Sequence, residues 1–221
     1  YFTKQIYEGQ PNQYHGEVNR LDWRPLEGFI LAVPPFNFYS IGGNLPTAPA
    51  MVGNTTLWKP ARSVTFANYE IMKVLQQAGL PKGVINFVPF SSKHANVIFD
   101  HPYFAGLHFT GSYETLTTIW QNIGKKVTKY RNFPRIVGET GGKDFIFMHH
   151  TADIEKTADR IIHGAFGYQG QKCSAASRAY IPQSKWDQVK NIIVEKANEL
   201  TQGPVEKMDN FLGAIIDEEA F

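Results

Sequence analysis

The sequence is poor in cysteine, in excess charge and in long apolar stretches, and each shortage excludes a class of protein. Only one cysteine, Cys173, occurs in 221 residues, which excludes an intramolecular disulfide framework and indicates a reducing compartment. Lys and Arg number 22 and Asp and Glu 20, so the net charge of +2 lacks the basic excess of a nucleic-acid binder. No apolar run approaches the roughly 18 residues of a membrane span. The hydrophobic share of 43% excludes a disordered chain and supports one core or two small ones.

Internal repeats, low-complexity segments and a signal-like segment are also absent, and the chain has no starting Met. It opens at Tyr1 and stops at Phe221, soon after an apolar run over residues 211–216. We therefore expect this sequence to be a piece of a longer protein.

Short apolar runs alternate with helical patterns, which is typical of βαβ units and a mainly parallel sheet. Strands are predicted over residues 29–33, 55–59, 84–88, 106–110, 144–147 and 179–181. Helices are predicted over residues 63–78, 112–124, 153–166 and 184–203, the last with Ser184 and Asp187 as a capping box and Trp186 facing inward. A boundary near Lys143 separates a sheet-and-helix domain, residues 1–143, from the start of a second domain, residues 144–221.

Cys173 is the candidate nucleophile. It lies in a loop with Gly167 and Gly170, and glycines let a backbone approach a ligand closely. The neighbouring Lys172 and a nearby helix start favour the thiolate, which is the reactive form. The alternative is an inert, structural cysteine.

Glu139 and Asn37 are candidates for a base and an oxyanion donor. Glu139 lies between glycines, in a sequence typical of a mobile turn that presents a carboxylate to a pocket. Asn37 follows a buried strand, where ligand sites of open α/β sheets lie, and its amide can donate to a developing oxyanion. The alternatives are a solvated turn glutamate and an asparagine that bonds its own turn.

A weaker signal occurs at Phe109-Thr110-Gly111-Ser112, where a strand meets a helix start. That geometry suits a phosphate, although the dinucleotide fingerprint G-x-G-x-x-G is absent from the chain.

Five stretches, taken together, resemble the aldehyde dehydrogenase family in order and approximate spacing. They are Pro35-Phe36-Asn37-Phe38, Trp58-Lys59-Pro60, Phe109-Thr110-Gly111-Ser112, Gly138-Glu139-Thr140-Gly141-Gly142-Lys143 and Gly170-Gln171-Lys172-Cys173. Three details resemble the branch that oxidises glutamate γ-semialdehyde, formed from Δ1-pyrroline-5-carboxylate. These details are Ile41-Gly42-Gly43-Asn44-Leu45, Ser174-Ala175 after the cysteine, and the lack of a second glycine after Ser112.

The resemblance implies a Rossmann-like, parallel-sheet NAD-binding domain, with part of an N-terminal interface segment, followed by the start of an α/β catalytic domain. It implies NAD-dependent oxidation of L-glutamate γ-semialdehyde to L-glutamate in proline breakdown, by a mitochondrial-matrix protein that forms a homo-oligomer. It implies no metal, no nucleic acid and no membrane partner.

The resemblance also assigns roles to individual residues. Cys173 attacks the aldehyde, Asn37 and the Cys173 N–H hold the oxyanion, and Glu139 activates the hydrolytic water. Cofactor-binding positions are Phe36, Lys59, Gly111 and Ser112; substrate-lining positions are Phe38 and Ser174.

The sequence departs from the family pattern at three positions. Thr140 replaces the usual cysteine, Asp144 replaces the usual asparagine, and Arg62 stands where relatives often carry an acidic or small residue near the adenosine ribose. Two other functions stay open: oxidation of a different aldehyde, and an inactive nucleotide-binding or subunit-interface module.

Overall fold

The computed structural model describes residues 1–221 and divides them into two compact units, Tyr1–Glu139 and Thr140–Phe221. Five helices belong to the first unit: α1 (Phe2–Glu8), α2 (Tyr39–Met51), α3 (Thr65–Gln77), α4 (Ala95–Phe99) and α5 (Tyr113–Lys125). Its strands are β1 (Phe29–Val33), β2 (Thr55–Trp58), β3 (Ile85–Phe87), β4 (Phe104–Gly111) and β5 (Arg135–Thr140), whose last residue falls beyond the division. The second unit holds β6 (Asp144–Phe147), α6 (Ile154–Phe166), β7 (Ala176–Tyr180) and α7 (Gln183–Asn198). The predicted strand and helix alternation is thus confirmed.

The first unit is built on a five-stranded sheet in the order β3-β2-β1-β4-β5. Strands β3, β2, β1 and β4 are parallel, with Leu31 opposite both Leu57 and Leu107. Leu31 and Leu107 are each 1% exposed, because helices cover both faces of such a sheet and its strands are apolar throughout. The strand order reverses between β1 and β4, which is where α/β sheets of this class bind ligands.

The sequence does not predict helix α2, because Pro46 and Pro49 lie inside it. Proline has no N–H, so Pro49 leaves the carbonyl of Leu45 without its helical donor. The His108 ring on β4 donates to that carbonyl through Nδ1 at 3.0 Å. Tertiary packing therefore stabilises a helix that local propensity disfavours.

The second unit has a parallel β6–β7 pair, with Phe147 opposite Tyr180, and two helices packed around Met148, Ile161 and Val189. Asp153 caps α6 as predicted, accepting from the Lys156 N–H at 2.8 Å.

Three expectations about α7 are wrong. The helix begins at Gln183 with Pro182 as its N-cap residue and has no side-chain cap bond, so Ser184 caps nothing. The N-cap residue therefore lies two positions earlier than expected, at Pro182, whose ψ of 135° keeps it outside the helix. Trp186 is exposed, because the apolar face is centred on the buried Val189, and the helix ends at Asn198.

No helix of the structure combines the length and apolar character that a membrane crossing requires. Histidine, cysteine and acidic side chains form no group of three or more that is placed to hold a metal ion.

Candidate nucleotide site and cysteine loop

Several of the predicted site residues lie just beyond the carboxyl ends of neighbouring parallel strands. Asn37 follows β1, Lys59 follows β2, and Ser112 follows β4. Because parallel strands end at the same edge of the sheet, these residues share one edge of the first unit. That edge is the default ligand position in this fold class.

A cavity of about 480 Å³ lies on this side of the sheet, with Lys59 in its wall. Its lining is mainly apolar or uncharged: Leu31, Val33, Phe90, Ser92, Ala95, Asn96, Phe99, Thr115, Thr118, Ile119 and Asn122, with Glu114 as its one carboxylate. The walls come from β1, the segment after β3, and helices α4 and α5. A cavity of this size and character suits a flat, uncharged ring such as adenine.

Lys59 is the cation of this cavity. Its backbone N–H donates to Ala32 O at 2.9 Å, which extends the β1–β2 ladder by one residue and holds the side chain at the sheet edge. Its ammonium donates to Pro60 O at 3.3 Å and lies 5.8 Å from the centre of the Phe90 ring. Burial of about half of the group lowers the pKa of Lys59 below its ordinary value. A partly desolvated ammonium of this kind attracts a ligand hydroxyl or phosphate more strongly than an exposed one.

Gly111 and Ser112 form the turn from β4 into α5. Ser112 caps α5, because its Oγ accepts from the Thr115 N–H at 3.2 Å. A Cβ on Gly111 would lie 2.7 Å from the buried Phe109 ring, so glycine is required there for packing. The turn exposes the N-terminus of a 13-residue helix, which favours a phosphate.

The loop between β1 and α2 carries Phe36, Asn37 and Phe38, all of them half-buried. Phe38 precedes the first residue of α2, and its carbonyl accepts from the Gly42 N–H at 2.9 Å. The Asn37 side chain is therefore carried by a segment that is fixed at both ends, by a strand and by a helix.

Cys173 is half-buried in a turn of the second unit, where the Ala175 N–H donates to Lys172 O at 3.1 Å. The Gly142 N–H donates to Cys173 O at 3.1 Å, and a Cβ on Gly142 would lie 3.2 Å from that same oxygen. The glycine motif and the cysteine motif are thus in direct contact. Ser174, next to Cys173, is exposed.

The chain before Cys173 is held in a backbone conformation that L-residues rarely adopt. Tyr168 and Gln169 have φ of 60° and 58°, and Gly170 follows at 68°. Each non-glycine residue in this region costs roughly 1–2 kcal/mol. Side-chain bonds offset part of this cost: Gln169 donates to Ala214 O at 3.2 Å, and Gln171 accepts from the Ile216 N–H at 3.0 Å.

Two local expectations are wrong. Glu139 lies on the exposed part of β5 and not in a turn, because the preceding Ile136-Val137 pair extends the backbone through the glycine. The helix start expected near Cys173 is also not found, since β7 begins at Ala176 and the next helix, α7, begins only at Gln183. The Lys172 ammonium lies against Gly167.

The structure thus brings Lys59, Gly111, Ser112 and the Phe36–Phe38 loop to one sheet edge of the first unit. Glu139 also belongs to the first unit, whereas Cys173 and Ser174 belong to the second. Sequence reasoning missed Phe90, Phe99 and Ile119 in the cavity wall. Phe90 follows β3, so the rule that led to Asn37 would have found it. The other two are ordinary apolar helix residues with no distinguishing signal.

The first unit thus has a cavity at the carboxyl edge of its parallel sheet, and the second unit has a constrained loop that holds Cys173. Residues 2–221 match the aldehyde dehydrogenase family, and the chain belongs to that family.

The chain is similar to named relatives. It is 43% identical over 222 residues to Delta-1-pyrroline-5-carboxylate dehydrogenase of Agaricus bisporus, covering 100% of this chain and 41% of the relative. It is 44% identical over 224 residues to the mitochondrial enzyme of that name from Dictyostelium discoideum, covering 100% and 40%. The crystal structure of the Mycobacterium tuberculosis Delta-pyrroline-5-carboxylate dehydrogenase bound with NAD matches with a TM-score of 0.94 and 48% identity, covering 99% and 41%. The chain therefore spans about 40% of the length of these proteins.

Proposed function

We propose that the complete gene product containing this chain oxidises L-glutamate γ-semialdehyde to L-glutamate with NAD. The observation that carries this proposal is the match, over 99% of the chain, to a pyrroline-5-carboxylate dehydrogenase structure bound with NAD. The residues present fit that cofactor, since an apolar cavity, a half-buried lysine and a capped helix start lie at one sheet edge. In this proposal Phe36, Lys59, Gly111 and Ser112 hold the dinucleotide.

The first covalent step belongs to Cys173. Its thiolate attacks the aldehyde carbon, a C–S bond forms, and the carbonyl electron pair moves to oxygen. We assign the stabilisation of that oxyanion to the Asn37 amide and the Cys173 N–H. Phe38 and Ser174 line the path of the aldehyde chain.

NAD, when bound, supplies the acceptor for the hydride that leaves the former aldehyde carbon. A thioester on Cys173 then remains. Glu139 takes one proton from water, the water oxygen attacks the thioester carbon, and the C–S bond breaks to release the carboxylic acid and the thiolate. The acid then loses its proton to solvent and leaves as the carboxylate product.

The remaining assignments concern the whole protein. We propose that residues 1–143 act as the NAD-binding domain with part of an interface segment, and that residues 144–221 begin the catalytic domain. We further propose that the protein forms a homo-oligomer and is located in mitochondria. The location is supported by relatives whose names include the word mitochondrial. Light scattering of the purified gene product and fractionation of cells test these two points.

Replacement of the thiol tests the enzymatic assignment. In the complete gene product, we expect Cys173→Ala to abolish NAD reduction, a loss of several orders of magnitude, because the covalent step has no substitute. NAD binding, measured by calorimetry, should stay at the wild-type value. Substantial turnover by Cys173→Ala would disprove the assignment.

A comparison of aldehydes tests the substrate. We expect a kcat/KM for glutamate γ-semialdehyde well above that for simple aliphatic aldehydes of similar length. A preference for the aliphatic aldehydes would indicate a different aldehyde dehydrogenase, and NAD binding with no turnover of any aldehyde would indicate an inactive module.

A further inference from the structure

Three consecutive residues before Cys173 lie in the left-handed region of backbone conformation. They are Tyr168, Gln169 and Gly170, with φ of 60°, 58° and 68°. L-residues other than glycine enter this region singly and at a cost, because the Cβ crowds the following carbonyl. Glycine adopts it freely, as Gly170 does in the same turn. A glutamine in this conformation persists only where its surroundings fix it, so the contacts of the Gln169 side chain decide what the turn does.

The Gln169 side chain contacts a segment that follows 45 residues later, residues 211–216. Its amide donates through Nε2 to Ala214 O at 3.2 Å. Gln171 bonds the same segment, because its Oε1 accepts from the Ile216 N–H at 3.0 Å. Two side chains, on residues that lie two positions apart, thus connect the left-handed turn to this segment.

The 211–216 segment is in turn fixed by the residues that follow α7. The Leu212 N–H donates to Thr201 O at 2.9 Å, and Leu212 O accepts from the Gly203 N–H at 3.1 Å. Because these bonds join backbone to backbone, they hold the segment in a defined position. Gln169 therefore donates to an acceptor that is itself held in place.

We propose that Gln169 is a positioning residue for the thiol, because its bond to Ala214 O holds the left-handed turn that determines where Cys173 presents its sulfur. The Gln171 N–H donates to Tyr168 O at 3.1 Å and closes this turn, so a movement of Gln169 also moves the residues just before the cysteine. The inference rests on the proposed function, in which Cys173 is the nucleophile. Gln169 acts through the cysteine loop and not by contact with the aldehyde or with NAD.

Two substitutions of Gln169 in the complete gene product test this role. Glutamate keeps the length of the side chain, but its carboxylate cannot donate to Ala214 O. Glycine adopts the left-handed backbone freely and has no side chain to form the bond. We expect Gln169→Glu and Gln169→Gly each to lower kcat for glutamate γ-semialdehyde by about tenfold to 100-fold, since a small displacement of a nucleophile is costly.

Binding and stability measurements distinguish positioning from a merely structural role. The NAD affinity and the number of NAD sites, measured by calorimetry, should stay at the wild-type values in both variants. Gln169→Gly should unfold at a temperature no lower than that of the wild type, since it removes the backbone cost of the glutamine. A side chain that only stabilised the fold would not lower kcat while NAD binding and the unfolding temperature are maintained.

Alkylation of Cys173 provides a measurement that needs no substrate. The rate with iodoacetamide, followed at the Cys173 peptide by mass spectrometry over a range of pH, separates the pKa of the thiol from the reactivity of its thiolate. We expect the thiolate of both Gln169 variants to react at a rate that differs from the wild-type rate by about threefold or more.

Gln202→Glu is the matched control. Gln202 donates through Nε2 to Gly213 O at 3.3 Å, so it makes the same kind of bond to the same segment, but from the residues after α7 and not from the cysteine loop. This variant should keep the wild-type kcat and alkylation rate. Wild-type values in both Gln169 variants, or equal losses in Gln202→Glu, would overturn the inference and leave the proposed function standing. A changed alkylation rate in the Gln169 variants of a protein that oxidises no aldehyde would support the positioning of the thiol and overturn the proposed function.

Discussion

At the scale of single residues, Lys59 combines a cost to stability with a proposed role in binding. Its pKa is lowered by burial, so between that value and the ordinary lysine pKa of about 10.4 the unfolded chain holds more protons than the folded one. Stability therefore rises with pH across this window, and the folded protein is destabilised by the charge below it. An apolar residue would remove that cost, which suggests that the lysine is kept for a ligand.

The first prediction follows from the lowered pKa of Lys59. We expect NAD affinity to fall as the pH rises through the lowered pKa of Lys59, because the ammonium is then lost. Lys59→Arg should keep its affinity at alkaline pH, since a guanidinium does not deprotonate there. Lys59→Met should bind NAD weakly at every pH and unfold at a higher temperature than wild type. Lys82→Arg, at an exposed lysine near the start of β3, is the control and should keep the wild-type profile.

A second prediction concerns two adjacent glycines with different surroundings. A Cβ on Gly142 would meet Cys173 O and Asp144 Oδ1 at 3.2 Å each, whereas a Cβ on Gly141 would meet nothing within 4 Å. We expect Gly142→Ala to displace the Cys173 turn and lower kcat about tenfold to 100-fold, because small errors in nucleophile position are costly. The rate of Cys173 alkylation by iodoacetamide should change in Gly142→Ala and stay at the wild-type value in Gly141→Ala. Identical alkylation rates in the two variants would show that the Gly142–Cys173 contact does not position the thiol.

At the scale of elements, two helix caps of the same kind allow an effect on stability to be distinguished from an effect on NAD binding. Ser112 caps α5 at the proposed nucleotide site, and Asp153 caps α6 in the second unit. Each side-chain oxygen accepts one backbone N–H of the first turn, so the two bonds stabilise their helices in the same way.

The third prediction compares their removal. Ser112→Ala and Asp153→Ala should each lower the free energy of unfolding by about 1 kcal/mol, measured by urea denaturation. We expect Ser112→Ala alone to weaken NAD binding as well, because it disturbs the helix start at which we propose that the NAD phosphates bind. Equal NAD affinities in the two variants would argue against a phosphate at α5.

How far the sequence predicts these elements depends on how local their causes are. The parallel strands and the Asp153 cap were predictable, since apolar runs and cap spacing are short-range signals. Helix α2 was not, because Pro46 and Pro49 oppose it and His108, 59 residues after Pro49, stabilises it. The site divides in the same way: Asn37, Lys59 and Ser112 follow strands and are visible in the sequence, whereas Phe99 and Ile119 meet in a wall formed by two helices.

At the scale of the whole molecule, the second unit exposes an aromatic cluster that we define as Phe145, Phe147 and Tyr180. The Phe145 and Tyr180 rings meet edge-on with their centres 5.6 Å apart, and Phe147 is 72% exposed. Phe145 and Phe147 alternate along β6 and so share one face of the two-stranded sheet. Apolar faces of this kind are normally covered in a protein that stays monomeric.

The last prediction is that residues 1–221, produced alone, self-associate through this cluster and give no turnover. The chain spans about 40% of the length of its relatives, so it carries a minor part of the surface available to cover β6 and β7. We expect sedimentation to show association at micromolar concentration, and the double variant Phe145→Ser/Phe147→Ser to reduce it. Phe66→Ser/Phe133→Ser, at two exposed phenylalanines of the first unit, provides the matched control and should leave the association unchanged. A monomeric chain that reduces NAD with glutamate γ-semialdehyde would contradict the prediction, because it would show that the aromatic face needs no cover and that residues 1–221 suffice for the reaction.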